Sequence, residues 1–342
     1  MSENFFELSH KDQREALEYG RAETGRPAHL LEKDIWVVWA LRILFDATIG
    51  RDLTFKGGTS LSKVYKVIDR FSEDIDLTYD IRKLIPDLTD ENGDLPRSRS
   101  QAHKWTTAVR HRLPEWIATN IQPVIEIALS KEGLKAQLEQ GGKDNDKLML
   151  YYPALTKGTG YIAPVITLEF GGRATGEPHE ILPVKCDIAE HLSEIEFPTA
   201  SPQVMSLART FWEKATAAHV FCAQGRLRGE RYARHWHDLA AISRSEHYTA
   251  AVSDTAVASA VAQHKSYFFV EKDLKGTVID YSAVTTGKLR IVPDGEAKAA
   301  LARDYDAMLA DEVMVGAALP FDALLQACSA IEKTINKSTV SK

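Results

Sequence analysis

Apolar residues recur at helical spacing in residues 30–45, and the pattern predicts an amphipathic helix that packs on a core. The apolar positions are Leu31, Ile35, Val38 and Phe45. Glu32 and Asp34 stand in the predicted first turn, where acidic side chains interact favourably with the helix dipole.

The next segment changes period twice within thirty residues. Leu53–Phe55 reads as a short strand, Gly57 and Gly58 as a turn, the following residues as a helix, and Ile75–Tyr79 as a second strand. Further along, the alternating apolar runs 147–155 and 161–170 flank a Lys-Gly-Thr-Gly sequence at 157–160 and predict a hairpin that extends the sheet. Gly171 and Gly172 are expected to end this hairpin.

From about Ser206 onward the pattern is mainly helical. The predicted helices cover residues 207–224, 234–245, 253–265, 296–312 and 321–337. Together with the strands before them, these helices predict an α+β fold in which a mixed sheet is flanked by helices and followed by an α-helical C-terminal domain.

Composition narrows the class of protein. The chain has 342 residues, 44% of them hydrophobic, and a net charge of -6, which is typical of a globular protein and gives no global sign of nucleic-acid binding. Three cysteines with no Cys-x-x-Cys pair give little support to a disulfide framework or a zinc site. The charged N-terminal residues and the lack of a long apolar stretch predict a cytoplasmic protein that is neither exported nor inserted in a membrane.

Two acidic residues lie at the start of the second predicted strand. Asp74 and Asp76 are two positions apart, so their carboxylates point to one face of the strand and can bracket a pair of metal ions. A helix that begins after Gly57 and Gly58 aims its free N–H groups at a phosphate, and Thr59 and Ser60 add hydroxyl donors. Ser72 either binds phosphate or caps the turn before the strand. The segment lacks the glycine before a Lys-Ser/Thr pair that a P-loop requires.

These motifs resemble a known family. The sequences FKGGTSLSKVY (55–65) and RFSEDIDL (70–77) are similar to the signature of DNA polymerase β-like nucleotidyltransferases, and in particular to the AbiEii and AbiGii type of toxin, which includes the MenT-like toxins. The similarity extends to residues 32–45, 209–219, 231–239 and 301–308 and so covers most of the chain. It implies an N-terminal helical segment (1–50), a nucleotidyltransferase core (51–200) and a helical C-terminal domain (201–342) that completes the active site.

The resemblance also implies further site residues. A third carboxylate in this superfamily commonly lies in an apolar-acidic-apolar triplet on a neighbouring strand, which here fits Glu169, with Asp187 as the alternative. A lysine and an aspartate from the helical half correspond to Lys214 and Asp238. An ammonium group contacts a triphosphate as a point charge, and a carboxylate can position that lysine or a metal-bound water.

A basic segment lies between Lys214 and Asp238. It carries Arg226, Arg228, Arg231 and Arg234, together with His235 and His237, interleaved with Tyr232 and Trp236. This composition suits RNA phosphates and base stacking, and it suits a charged connector equally well. The two histidines are two positions apart on a predicted helix, so they do not share a face and form a poor metal pair.

The resulting functional expectation is a nucleotidyltransferase that uses NTP and Mg²⁺, with two ions, to transfer a nucleoside monophosphate to an acceptor hydroxyl. The resemblance implies a toxin of an abortive-infection or phage-defence toxin–antitoxin system, a cognate antitoxin encoded nearby, and the tRNA 3′ end as acceptor. The alternatives are nucleotidylation of a protein or a small molecule, and a non-catalytic RNA- or protein-binding module with the same fold.

Overall fold

The computed structural model describes residues 3–72, 74–89, 95–156, 163–225, 231–310, 314 and 316–340. The chain forms two compact units. The first unit comprises Met1–Val64, Ser72–Asp94 and Thr107–Met205, and the second comprises Tyr65–Phe71, Leu95–Thr106 and Ser206–Lys342. None of the helices in the described part of the chain is long and apolar enough to span a bilayer.

The first unit is built on a mixed sheet. Its described strands are β1 (Glu3–Asn4), β2 (Leu53–Lys56), β3 (Asp74–Asp80), β4 (Gln137–Gly141), β5 (Lys147–Tyr151), β6 (Val165–Ala174), β7 (His179–Ile181), β8 (Val184–Lys185), β9 (Ile195–Glu196), β10 (Thr199–Ala200) and β11 (Gln203–Met205). Seven of these strands form the main sheet in the order β4-β5-β6-β3-β2-β11-β7. Strands β6 and β3 pair in parallel, as do β2 and β11, whereas the other neighbours are antiparallel.

Alternation along the strands gives the sheet one apolar face. On β6, Ile166, Leu168 and Phe170 are buried, whereas the residues between them are partly exposed. The ring of Trp116 stacks on Tyr79 of β3 and meets Phe170 edge to face, with ring centroids 3.9 and 5.9 Å apart. The opposite face of β3 and β6 is therefore left for polar side chains.

Helices of the first unit begin and end close to local signals. They are α1 (His10–Thr24), α2 (Ala28–Asp46), α3 (Gly57–Lys63), α4 (Ile81–Leu84), α5 (Arg99–Trp116) and α6 (Gln122–Lys131), and residues 99–106 of α5 count with the second unit. Short 3₁₀ turns cover Phe5–Glu7 and Thr48–Asp52, and a π-helical turn at Ile117–Ile121 joins α5 to α6. Ser9 caps α1, and Gly25, with φ of +71°, ends it in the left-handed conformation.

Helix α2 confirms the first predicted helix but not its amphipathic character. Glu32, Lys33 and Asp34 are buried, with at most 2% of each residue exposed. The Glu32 carboxylate accepts hydrogen bonds from the N–H groups of Leu155 and Thr156, and Asp34 accepts one from the N–H of Asp187. These acids therefore satisfy neighbouring backbone groups, and because α2 begins at Ala28 they lie beyond its first turn, where the sequence had placed them.

The second unit is helical in its described residues. Its helices are α7 (Leu207–Gln224), α8 (Ala233–Ile242), α9 (Tyr248–Ser253), α10 (Thr255–Phe268), α11 (Gly295–Ala310) and α12 (Phe321–Val340), with a 3₁₀ turn at Tyr281–Thr285. All five helices predicted after Ser206 are present. The α+β fold class is confirmed, because a mixed sheet with flanking helices precedes this helical part.

The predicted hairpin is confirmed in pairing and wrong at one end. Strands β5 and β6 are antiparallel neighbours, as expected, and residues 157–160 lie outside the described residues. However, β6 continues through Gly171 and Gly172 to Ala174. The extension stays in the sheet because Thr78 of β3 pairs with Gly171, and a Cβ at Gly172 would clash with Leu84, so glycine here accommodates packing rather than a turn.

Candidate functional site

The predicted carboxylates Asp74 and Asp76 lie at the start of β3 within the first unit. The side chains at Ile75 and Leu77 are completely buried, so the two aspartates point to the opposite, partly exposed face. Asp76 is the direct register partner of Glu169 on the parallel strand β6, and Asp74 is the partner of Thr167. Neighbouring strands are about 4.8 Å apart, so Asp76 and Glu169 stand side by side.

Lysines flank these two acids on the next strands. Lys56 on β2 is the register partner of Asp76, and Lys147 on β5 is the register partner of Glu169. The four residues form one line across the sheet, which we name the carboxylate row: Lys56, Asp76, Glu169 and Lys147, with Asp74 one pleat away on β3. The row combines acidic groups that suit a hard cation with ammonium groups that suit an anion.

Sequence reasoning missed Lys147. Its Nζ lies 2.7 Å from Oε2 of Glu169, and both side chains remain partly exposed. Burial lowers the pKa of Lys147, but the hydrogen bond and charge of Glu169, with further contributions from Asp74 and Asp146, raise it overall. The only indication in the sequence was that Lys147 begins the strand that pairs with the strand of Glu169. This position is informative only when the register of the two strands is known.

Helix α3 begins beside Asp76. Gly57 has φ of +80°, a conformation that favours glycine, and a Cβ atom there would collide with the carboxylate of Asp76. Gly58 follows in the first turn and is buried. The glycine pair therefore allows the chain to turn into α3 within contact distance of the carboxylate.

Thr59 and Ser60 are placed differently from the prediction. Both residues are buried, with 1% or less of their surface exposed. The Thr59 hydroxyl donates to the carbonyl oxygens of Ser72 and Asp74, and the Ser60 hydroxyl donates to the carbonyl of Gly57. These bonds fasten α3 to the start of β3, so the placement does not favour the predicted phosphate contact of the two hydroxyls. Ser72 is partly exposed immediately before β3.

Asp187, the alternative third carboxylate, belongs to another cluster. Nζ of Lys63 lies 2.7 Å from Oδ1 of Asp187 and 2.6 Å from Oδ1 of Asp34, and Arg26 also pairs with Asp187. Burial raises the pKa of Asp34, which Lys63 counteracts. Asp187 is thus paired with two cations, whereas the register of β3 and β6 sets Glu169 beside Asp76.

The donor set of the carboxylate row suits Mg²⁺, which prefers carboxylate oxygens. Within the ranges that the structure describes, however, no three His, Cys, Asp or Glu side chains are grouped closely enough to hold a metal ion. In this structure Glu169 pairs with Lys147 on β5, with 2.7 Å between Oε2 and Nζ.

In the second unit, Asp238 and Lys214 are brought together. Nζ of Lys214 on α7 lies 2.8 Å from Oδ2 of Asp238 on α8. Arg70 forms a bidentate pair with the same carboxylate, with both N–O distances 2.8 Å, and Nδ1 of His237 lies 3.2 Å from Oδ1. Asp238 is completely buried, as are nearly all of Arg70 and His237. We name these four residues the Asp238 cluster.

The charges in this cluster fix its protonation. Burial alone raises the pKa of Asp238, but Arg70 and Lys214, with hydrogen bonds from His237 and Arg70, hold it well below its usual range. Burial and the charge of Lys214 lower the pKa of the neighbouring His235 to about 3. Asp238 is therefore an anion and His235 is neutral near pH 7. Arg70 was not a predicted site residue, although it lies four positions before Asp74.

The basic segment lies only partly within the described residues. Arg226 and Arg228 lie outside the described residues. Arg231 is exposed, and its N–H donates to Asp304, 2.7 Å away, while Arg234 is partly buried. Trp236 is fully buried and donates to the carbonyl of Ile291, a placement that does not favour base stacking by this ring. Tyr232 packs edge to face on Phe221, with centroids 4.1 Å apart.

Comparison with known proteins identifies the family. The family model described as "Nucleotidyl transferase AbiEii toxin, Type IV TA system" matches residues 39–327. Among solved structures, the chain is similar to MenT4, a nucleotidyltransferase toxin from Mycobacterium tuberculosis H37Rv, with 17% identity, a TM-score of 0.48, and coverage of 96% of this chain and 90% of that chain. No curated protein matches the chain. Since the family model spans well over half of the 342 residues, the chain belongs to the AbiEii family and is a nucleotidyltransferase toxin of a type IV toxin–antitoxin system.

Proposed function

We propose that this toxin uses Mg²⁺ to transfer a nucleoside monophosphate from NTP to an acceptor hydroxyl, and that the acceptor is the 3′ end of tRNA. The observation that carries the proposal is the register of β3 and β6, which sets Asp76 beside Glu169 while Asp74 shares the face of Asp76. Two strands that present three carboxylates on one partly exposed face offer oxygen donors of the kind that a two-metal transfer uses, and these side chains would have to turn toward one another to share an ion.

Asp74 and Asp76 would hold the metal, and Glu169 would complete the ligand set. Gly57 supports this assignment, because the glycine leaves space for the Asp76 carboxylate beside the start of α3. When bound, Mg²⁺ would offset phosphate charge and align the reacting oxygens. Gly57 and Gly58 keep side chains away from the nucleotide at this point, and Ser72 stays a predicted phosphate contact.

Lys214 and Asp238 stay predicted site residues, with Lys214 as the contact for the triphosphate. Their geometry supports different roles for the two residues. The buried Asp238 carboxylate holds the Lys214 ammonium at 2.8 Å and so limits the rotamers of Lys214. In the proposed reaction the acceptor oxygen forms a bond to the α-phosphorus, the bond from that phosphorus to the pyrophosphate oxygen breaks and pyrophosphate leaves, and the proton of the acceptor hydroxyl passes to water.

The domain boundaries at residues 50 and 200 also stay a proposal, as does a cytoplasmic location, which follows from the need for NTP and tRNA. As a toxin of a type IV system, the protein has an antitoxin, which we propose to be encoded beside it. Growth arrest by the toxin would protect a bacterial population from phage, consistent with an abortive-infection role.

The test is incubation of the purified protein with each α-labelled NTP in turn, together with total RNA and total protein, with and without EDTA. The expected result is EDTA-sensitive label in the tRNA fraction. Asp76→Asn should abolish labelling, whereas Asp144→Asn, the same change at an exposed loop residue, should not. Label in protein or in a small molecule would mean that the acceptor is that molecule and not tRNA. If no NTP were consumed with any acceptor, the transferase proposal would fail and a binding module with this fold would remain.

A further inference from the structure

Lys147 occupies a position that the proposed transfer does not yet use. It lies on β5 directly opposite Glu169, on the same sheet face as Asp76, and its ammonium nitrogen is 2.7 Å from Oε2 of Glu169. Its side chain is 35% exposed and that of Glu169 is 41% exposed, so both can reach a ligand without entering the core. The pair is thus part of the carboxylate row and not of the hydrophobic interior.

The pair contributes little to folding. Exposed ion pairs are weak because water solvates both charges and the side chains lose rotamer freedom on pairing. Its effect falls instead on the acids beside it. Asp74, Asp76 and Glu169 carry like charges close together, and the ammonium of Lys147 offsets part of their repulsion.

The same contact sets up a competition. An oxygen of Glu169 that accepts from Lys147 is not available to a metal ion, and a divalent cation in the row would be repelled by the ammonium. Metal binding by Glu169 and its pairing with Lys147 are therefore alternative states. If Glu169 turned to the metal, the Lys147 ammonium would lose its partner. It would still lie within one side-chain length of the carboxylate row, where the phosphates of an NTP would lie.

We propose that Lys147 is a nucleotide-binding residue that exchanges partners: its ammonium pairs with Glu169 while the site is empty and contacts the triphosphate once metal and nucleotide bind. This inference rests on the proposed metal site at Asp74, Asp76 and Glu169. It predicts that the charge of Lys147 opposes binding of metal alone and favours binding of the phosphate chain.

The experiment measures two affinities of the 342-residue chain. The first is for Mn²⁺ alone, from the free-ion signal in electron paramagnetic resonance, and the second is for inorganic tripolyphosphate at saturating Mg²⁺, by titration calorimetry. Lys147→Gln should bind Mn²⁺ about fivefold more tightly and tripolyphosphate about fivefold more weakly, which is the size expected for one partly exposed charge. A residue with only a structural role would not shift the two affinities in opposite directions.

Two variants serve as controls. Lys147→Arg keeps the charge and should retain the parent's weak Mn²⁺ binding. Lys143→Gln removes the same charge from an exposed position in the turn between β4 and β5 and should change neither affinity. Circular dichroism and thermal midpoints of all variants report whether the fold is kept.

The outcomes separate this inference from the function on which it rests. If Mn²⁺ binding of the parent is unaffected by Asp76→Asn, or absent in every variant, the proposed metal site fails and the role of Lys147 fails with it. If Mn²⁺ binding requires Asp76 but Lys147→Gln leaves both affinities unchanged or lowers both, the metal site stands and the exchange role of Lys147 is rejected.

Discussion

A side chain at Gly57 has no room beside Asp76: a Cβ atom built on Gly57 would lie 2.7 Å from Cγ of Asp76 and closer still to Oδ2. The backbone of Gly57 also has φ of +80°, where L-residues are strained. One position therefore carries two constraints, the turn into α3 and the close approach of a proposed metal ligand. The two constraints can be separated by mutation.

Gly57→Ala is expected to abolish most nucleotide transfer, because the methyl group must displace the Asp76 carboxylate, and a shift of about 1 Å at a reacting centre can cost roughly a hundredfold in rate. The measurement is turnover of labelled NTP. The matched control is Gly25→Ala, since Gly25 has φ of +71° but nothing within 4 Å of its Cβ position. It should lose about 1 kcal/mol of stability and keep full activity. Equal turnover in both variants would show that the clash at Asp76 has no catalytic consequence.

The aspartates of β3 could be predicted from sequence because their alternation with Ile75 and Leu77 is a local signal. The closeness of Asp76 to Glu169 could not, because it depends on parallel pairing of two strands separated by about ninety residues of chain. The partner of Lys147 escaped prediction because the hairpin of β5 and β6 was predicted without its register. The local pattern predicts the sheet face to which a side chain points, whereas the register decides which residue of the neighbouring strand lies beside it.

Buried charges were the other feature that sequence reasoning misjudged. Glu32 and Asp34 carry the composition of an exposed first turn, yet the helix that holds them is enclosed and each acid has buried partners. Arg70 likewise gave no sign of pairing with Asp238, which lies far along the chain. Charged residues are exposed on average, so a sequence does not indicate which of them form buried pairs. Such pairs are identified only in the three-dimensional structure.

Asp238→Asn is expected to lower the free energy of unfolding by about 3–5 kcal/mol, because it leaves Arg70 and Lys214 without their shared counter-charge in a buried site. Asp76→Asn, at a partly exposed position, should change it by less than about 0.5 kcal/mol while abolishing transfer. Urea denaturation of both variants at pH 7 gives the comparison. A loss below about 1 kcal/mol for Asp238→Asn would mean that the Asp238 cluster does not stabilise the fold in this way.

Two histidines of the second unit should make stability fall in mild acid. Burial and nearby Lys214 lower the pKa of His235 to about 3. Burial also lowers the pKa of His219, whose Nδ1 accepts a hydrogen bond from the N–H of Arg290 at 3.0 Å and must stay unprotonated to do so. The unfolded chain protonates histidine near pH 6.5, so below that value it binds more protons than the folded chain and the folded state is disfavoured.

The expected loss between pH 6.5 and 5.5 is about 1 kcal/mol from His235, with a further loss from His219. His235→Gln should flatten this part of the curve of unfolding free energy against pH, whereas His103→Gln, at an exposed position, should not. Urea titrations at pH 7.5, 6.5 and 5.5 provide the data, above the range where most carboxylates titrate. A parent protein whose stability stays constant down to pH 5.5 would contradict the assignment of neutral histidines at positions 219 and 235.

The proposal that tRNA is the acceptor can be tested by mutating the segment that joins α7 to α8. Lys214 on α7 and Asp238 on α8 are held together at 2.8 Å, and residues 225–232 connect the two helices, with Arg231 exposed at the end of the connection. If Arg228 and Arg231 bind tRNA phosphates, neutralising both should weaken tRNA use while tripolyphosphate binding stays at the parent's level.

Each phosphate contact releases a condensed counterion, so the loss of one contact should lower the slope of log affinity against log salt by about 0.9 for a duplex and about 0.7 for a single strand. The measurement is nucleotide transfer to purified tRNA over a salt series, for the parent and for the double variant Arg228→Gln, Arg231→Gln. The matched control is the double variant Arg14→Gln, Arg51→Gln, which removes the same charge from exposed positions of the first unit and should keep the parent's slope. Equal slopes and rates for the parent and the Arg228, Arg231 variant would exclude this segment as the tRNA contact, and the transferase reaction would then require another surface for its acceptor.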